Sequence, residues 1–415
     1  MDHLSVAPEK PVQLEQLPSL QPGDQVRLVS DDDLRRERVT VFFRFFMALP
    51  HLVWLSLWGA AMVTLAPAVW VVALVTRRPP QAIMDVYDNF VRYSTHVYAF
   101  WLLAAEPFPG FLGRARSYPV DLEVAPVAEQ GRWSIGLRLL LALPPVLLAG
   151  ALLQGGGVST GGGVALLAAF GAWWAFMATA RMPPGLRDLI LWALGYAAQT
   201  FAYLFLLTGR YPNSDPAVAP VAPVPEHPVR LELTDELRRD RWLVAFRYVL
   251  AMPHFAWQGL WTLLAVPAAI AGWFAALALG RLPARLHRFL ARYVRYWAHV
   301  NAFFYLGGGL FPGFAGREGS YPVDVVIAPP ERQSRWTIAF RLILALPPLA
   351  LASAVFGVAV LAGIGGWFAA LFTGRMPQGL RNVVAFGVRY SAQSFAYVVL
   401  LTPRYPYSGP GDFRR

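Results

Sequence analysis

"RWTIAFRLILALPP", residues 335 to 348, is written more than once in this chain: "RWSIGLRLLLALPP" stands at 132 to 145 and "RWLVAFRYVLAMPH" at 241 to 254. Each copy opens on Arg-Trp, places a second arginine six residues after the first, and runs into an apolar stretch broken by proline. A looser copy, "RVTVFFRFFMALPH", occupies 38 to 51. Arg44, Arg138, Arg247 and Arg341 therefore hold one equivalent position. Residues 44 and 138 are 94 apart, as are 247 and 341, while 44 and 247 are 203 apart, so two repeats make a half and the half occurs twice. The repeats run over 24–116, 117–211, 227–318 and 319–415, with a proline-rich connection at 212–226 whose composition favours an extended linker. Residues 1–23 are polar, lack the basic start and apolar core of a secretion signal, and are expected to be a disordered tail.

Composition sets the class. Of 415 residues, 56% are hydrophobic and only 15% charged, against roughly 25% charged in a typical soluble domain. No charged residue occurs in 51–76, 144–180, 253–280 or 347–374, which reads as membrane-embedded helix. The formal charge of +11 is carried almost wholly by arginine, which points to an anionic lipid surface, not nucleic acid. With no cysteine there is no disulfide framework and no thiolate metal site.

Within a repeat the parts follow one order. A short alternating stretch comes first: "DQVRLVS" at 24, "YPVDLEV" at 118, "HPVRLEL" at 227 and "YPVDVVI" at 321. These read as single β-strands, and the four together are expected to form one small surface sheet. Segment A, the quoted stretch, follows, then an apolar segment B ending at Arg77, Arg181, Arg281 and Arg375, then an amphipathic helix C. "QGGGVSTGGG" at 154–163 breaks A from B in the second repeat, and a glycine run inside a spanning helix would leave backbone groups unpaired in lipid. A and B are therefore expected to form a hairpin dipping into the bilayer. A single kinked A–B span has the same parity and stays open.

On this reading Arg132, Trp133, Arg138, Arg241, Trp242, Arg247, Arg335, Trp336 and Arg341 lie at the lipid headgroups. In helix C of the third repeat, Arg285, Arg288, Arg292, Arg295 and His299 follow spacings of three and four, forming one basic face that suits anionic lipid. A transporter or channel, the alternative, would instead turn Arg92, His96, Arg295 and His299 into a water-filled cavity at the interface of the duplicated halves. No HExxH, G-x-S-x-G or paired-carboxylate arrangement appears, and the paired histidines His51 with His96 and His254 with His299 need no ligand at an interface. No catalytic residue, metal or cofactor is expected.

The succession of "RWTIAFRLILALPP", "GWFAALFTGRMPQGL" at 366 and "AYVVLLTPRYP" at 396 resembles a bacterial membrane-protein family catalogued as domain of unknown function 4389. The resemblance extends over all four repeats, and the first departs most, with Val39 in the tryptophan position and "RRPPQAI" for the turn after B. It implies an integral membrane location and paired apolar helices, and it implies no activity. The expectation is an all-α membrane protein of four tandem repeats, each one strand, an apolar hairpin and an amphipathic helix. It would act as a non-enzymatic scaffold or accessory subunit in the bacterial cytoplasmic membrane, with charged connections and termini on the cytoplasmic side. Its partners would be anionic lipid and a larger membrane complex or further copies of itself.

Overall fold

The structure, a computed structural model, describes residues 26–126, 128–154, 163–219 and 225–411. The tail at 1–23 and nearly all of the glycine-rich run lie outside the described residues. The first repeat comprises β1 (Arg27–Ser30), α1 (Arg38–Thr76) and α2 (Gln81–Trp101). The second comprises β2 (Val120–Glu123), α3 (Arg132–Gly136), α4 (Arg138–Leu153), α5 (Val164–Thr179) and α6 (Pro184–Leu204). The third comprises β3 (Val229–Leu233), α7 (Arg241–Ala245), α8 (Arg247–Leu279) and α9 (Ala284–Phe304), and the fourth β4 (Val323–Ile327), α10 (Arg335–Ala339), α11 (Arg341–Thr373) and α12 (Gln378–Val398). Packing divides the chain into two compact units. One extends to Ala142 and adds Ala172–Arg187 and Leu194–Pro212; the other holds Leu143–Gly171, Asp188–Ala193 and the chain from Asn213.

Segments A and B do not form hairpins in the first, third and fourth repeats. α1, α8 and α11 each run unbroken, and Pro50 and Pro67, Pro253 and Pro267, and Pro347 and Pro348 sit inside them. A proline removes one N–H bond and bends the helix. A turn in lipid would strand the four N–H and four C=O groups of two helix ends, so the kinked helix is the cheaper solution. α8 and α11, at 33 residues, are each about 50 Å long, and α1 is longer, against an apolar core of roughly 30 Å. All three are long and apolar enough to cross a membrane, and only 17% of the most apolar window is buried in α1 and in α8. Their left-handed C-caps are Arg77, Gly280 and Gly374, which makes Arg78, not Arg77, the counterpart of Arg281 and Arg375.

The strands pair, but in twos. β1 lies antiparallel to β2, with Arg27 opposite Glu123, and β3 lies antiparallel to β4, with Val229 opposite Ile327. Two separate ribbons replace the single expected sheet. The linker expectation also gives way in part. Ser214, Asp215 and Pro216 are buried, and Asp215 accepts bonds from Ala217 N (3.0 Å) and from Asn382 Nδ2 of α12 (2.9 Å).

The two repeats of each half interlock reciprocally. In the first unit, Trp70 of α1 donates to the Ile135 carbonyl of α3 (2.7 Å), and Trp173 of α5 returns a bond to the Val41 carbonyl of α1 (3.3 Å). In the second, Trp273 of α8 donates to Ile338 of α10 (2.8 Å) and Trp367 of α11 to Val244 of α7 (2.9 Å). Each short helix opening segment A is thus gripped by the other repeat. α11 and α12 approach closely through small residues, and a Cβ on Gly387 would stand 2.6 Å from the Cβ of Ala359. Gly387→Val should therefore lower stability by about 2 kcal/mol through overpacking, whereas Gly313→Ala, with nothing within 4 Å, should leave the thermal midpoint in detergent unchanged.

Candidate functional site

The second arginine of each repeat goes inward. Arg44, Arg138, Arg247 and Arg341 are all buried, which corrects the headgroup assignment of Arg138, Arg247 and Arg341. Each guanidinium lies over an aromatic ring of its own repeat's helix C: Phe100 at 4.6 Å, Tyr203 at 3.9 Å, Phe303 at 4.5 Å and Tyr397 at 4.0 Å. Arg44 donates to the carbonyls of Phe100 (2.8 Å) and Ala105 (2.9 Å), Arg247 to those of Phe303 (2.5 Å) and Gly308 (3.3 Å), and Arg138 to Thr208 (3.2 Å). The end of a helix leaves carbonyls without intrahelical partners, and an arginine presents five donors to them while its face stacks on a ring.

That helix end has a second device. Leu103, Leu206, Leu306 and Leu400 all take left-handed backbone, with φ between 64° and 66°. A non-glycine residue there costs on the order of 1 kcal/mol. The Leu206 carbonyl accepts from Gln130 Nε2 (2.8 Å) and the Leu400 carbonyl from Gln333 Nε2 (2.8 Å), and these glutamines also accept from Arg138 and Arg341. At the equivalent positions Arg36 and Arg239 donate to Leu103 (3.3 Å) and Leu306 (3.0 Å), and each is paired with an aspartate four residues before it, Asp32 and Asp235. Sequence reading missed this substitution of an ion pair for an amide because leucine carries no turn signal.

The first arginines and their tryptophans lie on the outside. Trp133, Trp242 and Trp336 are 83%, 75% and 77% exposed. Arg132, Arg241 and Arg335 each give one hydrogen bond to the end of the long helix of the other repeat, at Val75 (3.3 Å), Phe372 (3.0 Å) and Ala278 (3.1 Å).

The basic face of α9 divides. Arg295 and His299 are buried against Asp324 of β4: His299 Nε2 donates to the carboxylate at 2.7 Å, and Arg295 Nε lies 3.5 Å from it. Arg295 also bonds Glu318 (2.8 Å) and the Val325 carbonyl (2.9 Å). The first unit repeats the node, with Asp121 of β2 holding His96 (3.0 Å) and Arg92 (2.9 Å). Burial pushes the Asp324 carboxyl up, but the bond from His299 and those from the Gly319 and Val325 amides outweigh it and hold the group below the usual carboxylate range. Asp121 is held low in the same sense by His96 and Arg92 against its burial. These arginines and histidines are buried against a carboxylate from the neighbouring strand, which claims them. The aspartate in "YPVD", buried at an inward strand position, was the available signal. His51 and His254 bond Tyr93 and Tyr296 instead (2.8 Å each) and stack on Phe111 and Phe314. Among the described residues no group of three His, Cys, Asp or Glu side chains stands ready for a metal ion.

Arg285, Arg288 and Arg292 remain exposed, and no hydrogen bond or ion pair engages them among the described residues. They border a cleft of about 780 Å³ whose other wall is Trp257, Leu260, Trp261 and Leu264 of α8. Trp261 packs on Phe289 and Tyr293 of α9, and the Thr262 and Tyr293 hydroxyls are 2.8 Å apart, so the arginines stand beside the middle of the apolar helix.

The sequence model described as Domain of unknown function (DUF4389) matches residues 38–112, 241–312 and 335–408. The matched segments include the divergent first repeat and omit the second, the one interrupted by the glycine-rich run. No curated protein and no solved structure matches the chain.

Proposed function

The chain belongs to the family described as Domain of unknown function (DUF4389), matched over more than half its length, and from that premise we propose that it is a non-enzymatic integral membrane scaffold or accessory subunit. The family brings no activity with it, so the reading rests on how polar and apolar groups are used. One observation carries it: the buried arginines, histidines and aspartates of both units are spent tying elements together, while the large apolar side chains of the long helices point outward. Phe42, Phe46, Leu263, Phe274, Leu342 and Phe372 are all exposed, a surface that water would not tolerate and lipid would cover. The compartment is the bacterial cytoplasmic membrane, with the arginine-rich connections on the cytoplasmic side. The partners are acidic lipids and a larger membrane complex or further copies of the chain.

An alkaline carbonate wash of native membranes should leave the protein in the pellet, and its release into the supernatant would sink the membrane reading. Reconstituted in liposomes, the protein should conduct no more solute or ion than protein-free vesicles. A flux above that background would favour a transporter over a scaffold.

A further inference from the structure

We propose that the cleft between α8 and α9 binds one acidic phospholipid, its phosphate on Arg285, Arg288 and Arg292 and its acyl chains along Trp257, Leu260, Trp261 and Leu264; this rests on the membrane reading above. Three guanidinium groups of α9 without carboxylate partners stand beside the middle of α8, which carries no charge after Arg247 at its start. An arginine beside a lipid-facing helix is costly unless it is compensated, so this cluster calls for a counter-anion that can itself enter lipid. Among the described residues the cleft lining supplies none. Its apolar wall has no cover from the protein either: Trp257, Leu260 and Leu264 are 44%, 58% and 65% exposed. A headgroup phosphate with its chains meets both needs in one molecule, whereas a free phosphate meets only the first. Arginine forks suit phosphate oxygens, and three of them on one helical face converge on a single group.

The duplication provides an internal control. Trp257, Leu260, Trp261, Phe314 and the start of α9 recur 203 residues earlier as Trp54, Leu57, Trp58, Phe111 and the start of α2. The three arginine positions there are Ala82, Asp85 and Asn89, which offer no cation. One half of the molecule therefore has the apolar wall and the basic stripe, and the other has most of the wall, with Ala61 in the place of Leu264, and no stripe.

The test uses the full chain purified in mild detergent, supplied with phosphatidylglycerol or phosphatidylcholine, with retained lipid counted by native mass spectrometry. One phosphatidylglycerol per chain should be retained and phosphatidylcholine should not. The triple variant Arg285→Gln, Arg288→Gln, Arg292→Gln, altered only at exposed side chains and checked for an unchanged thermal midpoint, should bind it about a hundredfold more weakly, at roughly fivefold per arginine. Ala82→Arg, Asp85→Arg, Asn89→Arg should add a second retained lipid. Equal retention of the two lipids, unchanged binding by the glutamine variant, or displacement of the lipid by millimolar inorganic phosphate would each overturn the proposal. Failure of the chain to enter vesicles of any composition would overturn the membrane reading itself.

Discussion

Arg247→Ala should lower the unfolding free energy of the solubilised protein by about 4 kcal/mol, read as a loss of thermal midpoint. The guanidinium is buried, donates to the Phe303 and Gly308 carbonyls and lies 4.5 Å from the centre of the Phe303 ring. Its removal leaves the Gly308 carbonyl unpaired where water cannot easily reach, at about 1–3 kcal/mol, takes from the Phe303 carbonyl one donor while Leu306 N (3.1 Å) remains, at about 1 kcal/mol, and deletes a cation–π contact of about 1 kcal/mol. Arg247→Lys keeps the charge but not the planar fork, and should recover less than half of the loss. Arg241→Ala, six residues earlier, removes one hydrogen bond from an exposed side chain and should cost less than 1 kcal/mol. Equal effects at 241 and 247 would show that the second arginine does not hold the end of α9.

Asp324→Ala should cost about 3 kcal/mol, because one buried carboxylate gathers His299, Arg295 and the Gly319 and Val325 amides. The effect should depend on pH in a fixed direction. The folded carboxyl is held below its unfolded value, so its contribution is complete above the unfolded carboxylate range near 4 and disappears as pH falls through the lower folded value. The parent should therefore lose stability below about pH 4 more steeply than Asp324→Asn, and the two curves should converge at the acid end. Parallel curves down to pH 2 would remove Asp324 from the account. Asp121, in the same node of the first unit, should behave alike.

Much of the architecture was legible in the residues themselves. The arginine spacing, the charge-free runs and the "YPVD" stretches placed the recurring segments, the apolar helical stretches and the strands, because periodicity and hydropathy are local properties of the chain. The outward tryptophans Trp133, Trp242 and Trp336 followed from the same pattern. Continuity of α1, α8 and α11 was not legible: a proline in an apolar run fits a turn or a kink, and the choice turns on what a turn would leave unpaired in its surroundings.

The destination of the arginines was hidden for another reason. A basic stripe reports which residues share a helical face, and nothing in it reports what stands opposite. Arg247 finds its acceptors 56 and 61 residues downstream, and Arg295 and His299 find theirs on a strand of the next repeat. The left-handed leucines that close helix C are tertiary in origin too, since no local preference favours leucine there and the conformation survives only because an arginine or glutamine from another element holds its carbonyl. By itself the sequence determined the recurring arginine-and-proline stretches, the apolar helical segments and the residues available for polar contacts. Which polar groups became internal ties, and which three arginines were left facing the cleft, the tertiary structure decided, because a charge in a low-dielectric interior goes wherever a partner for it happens to be.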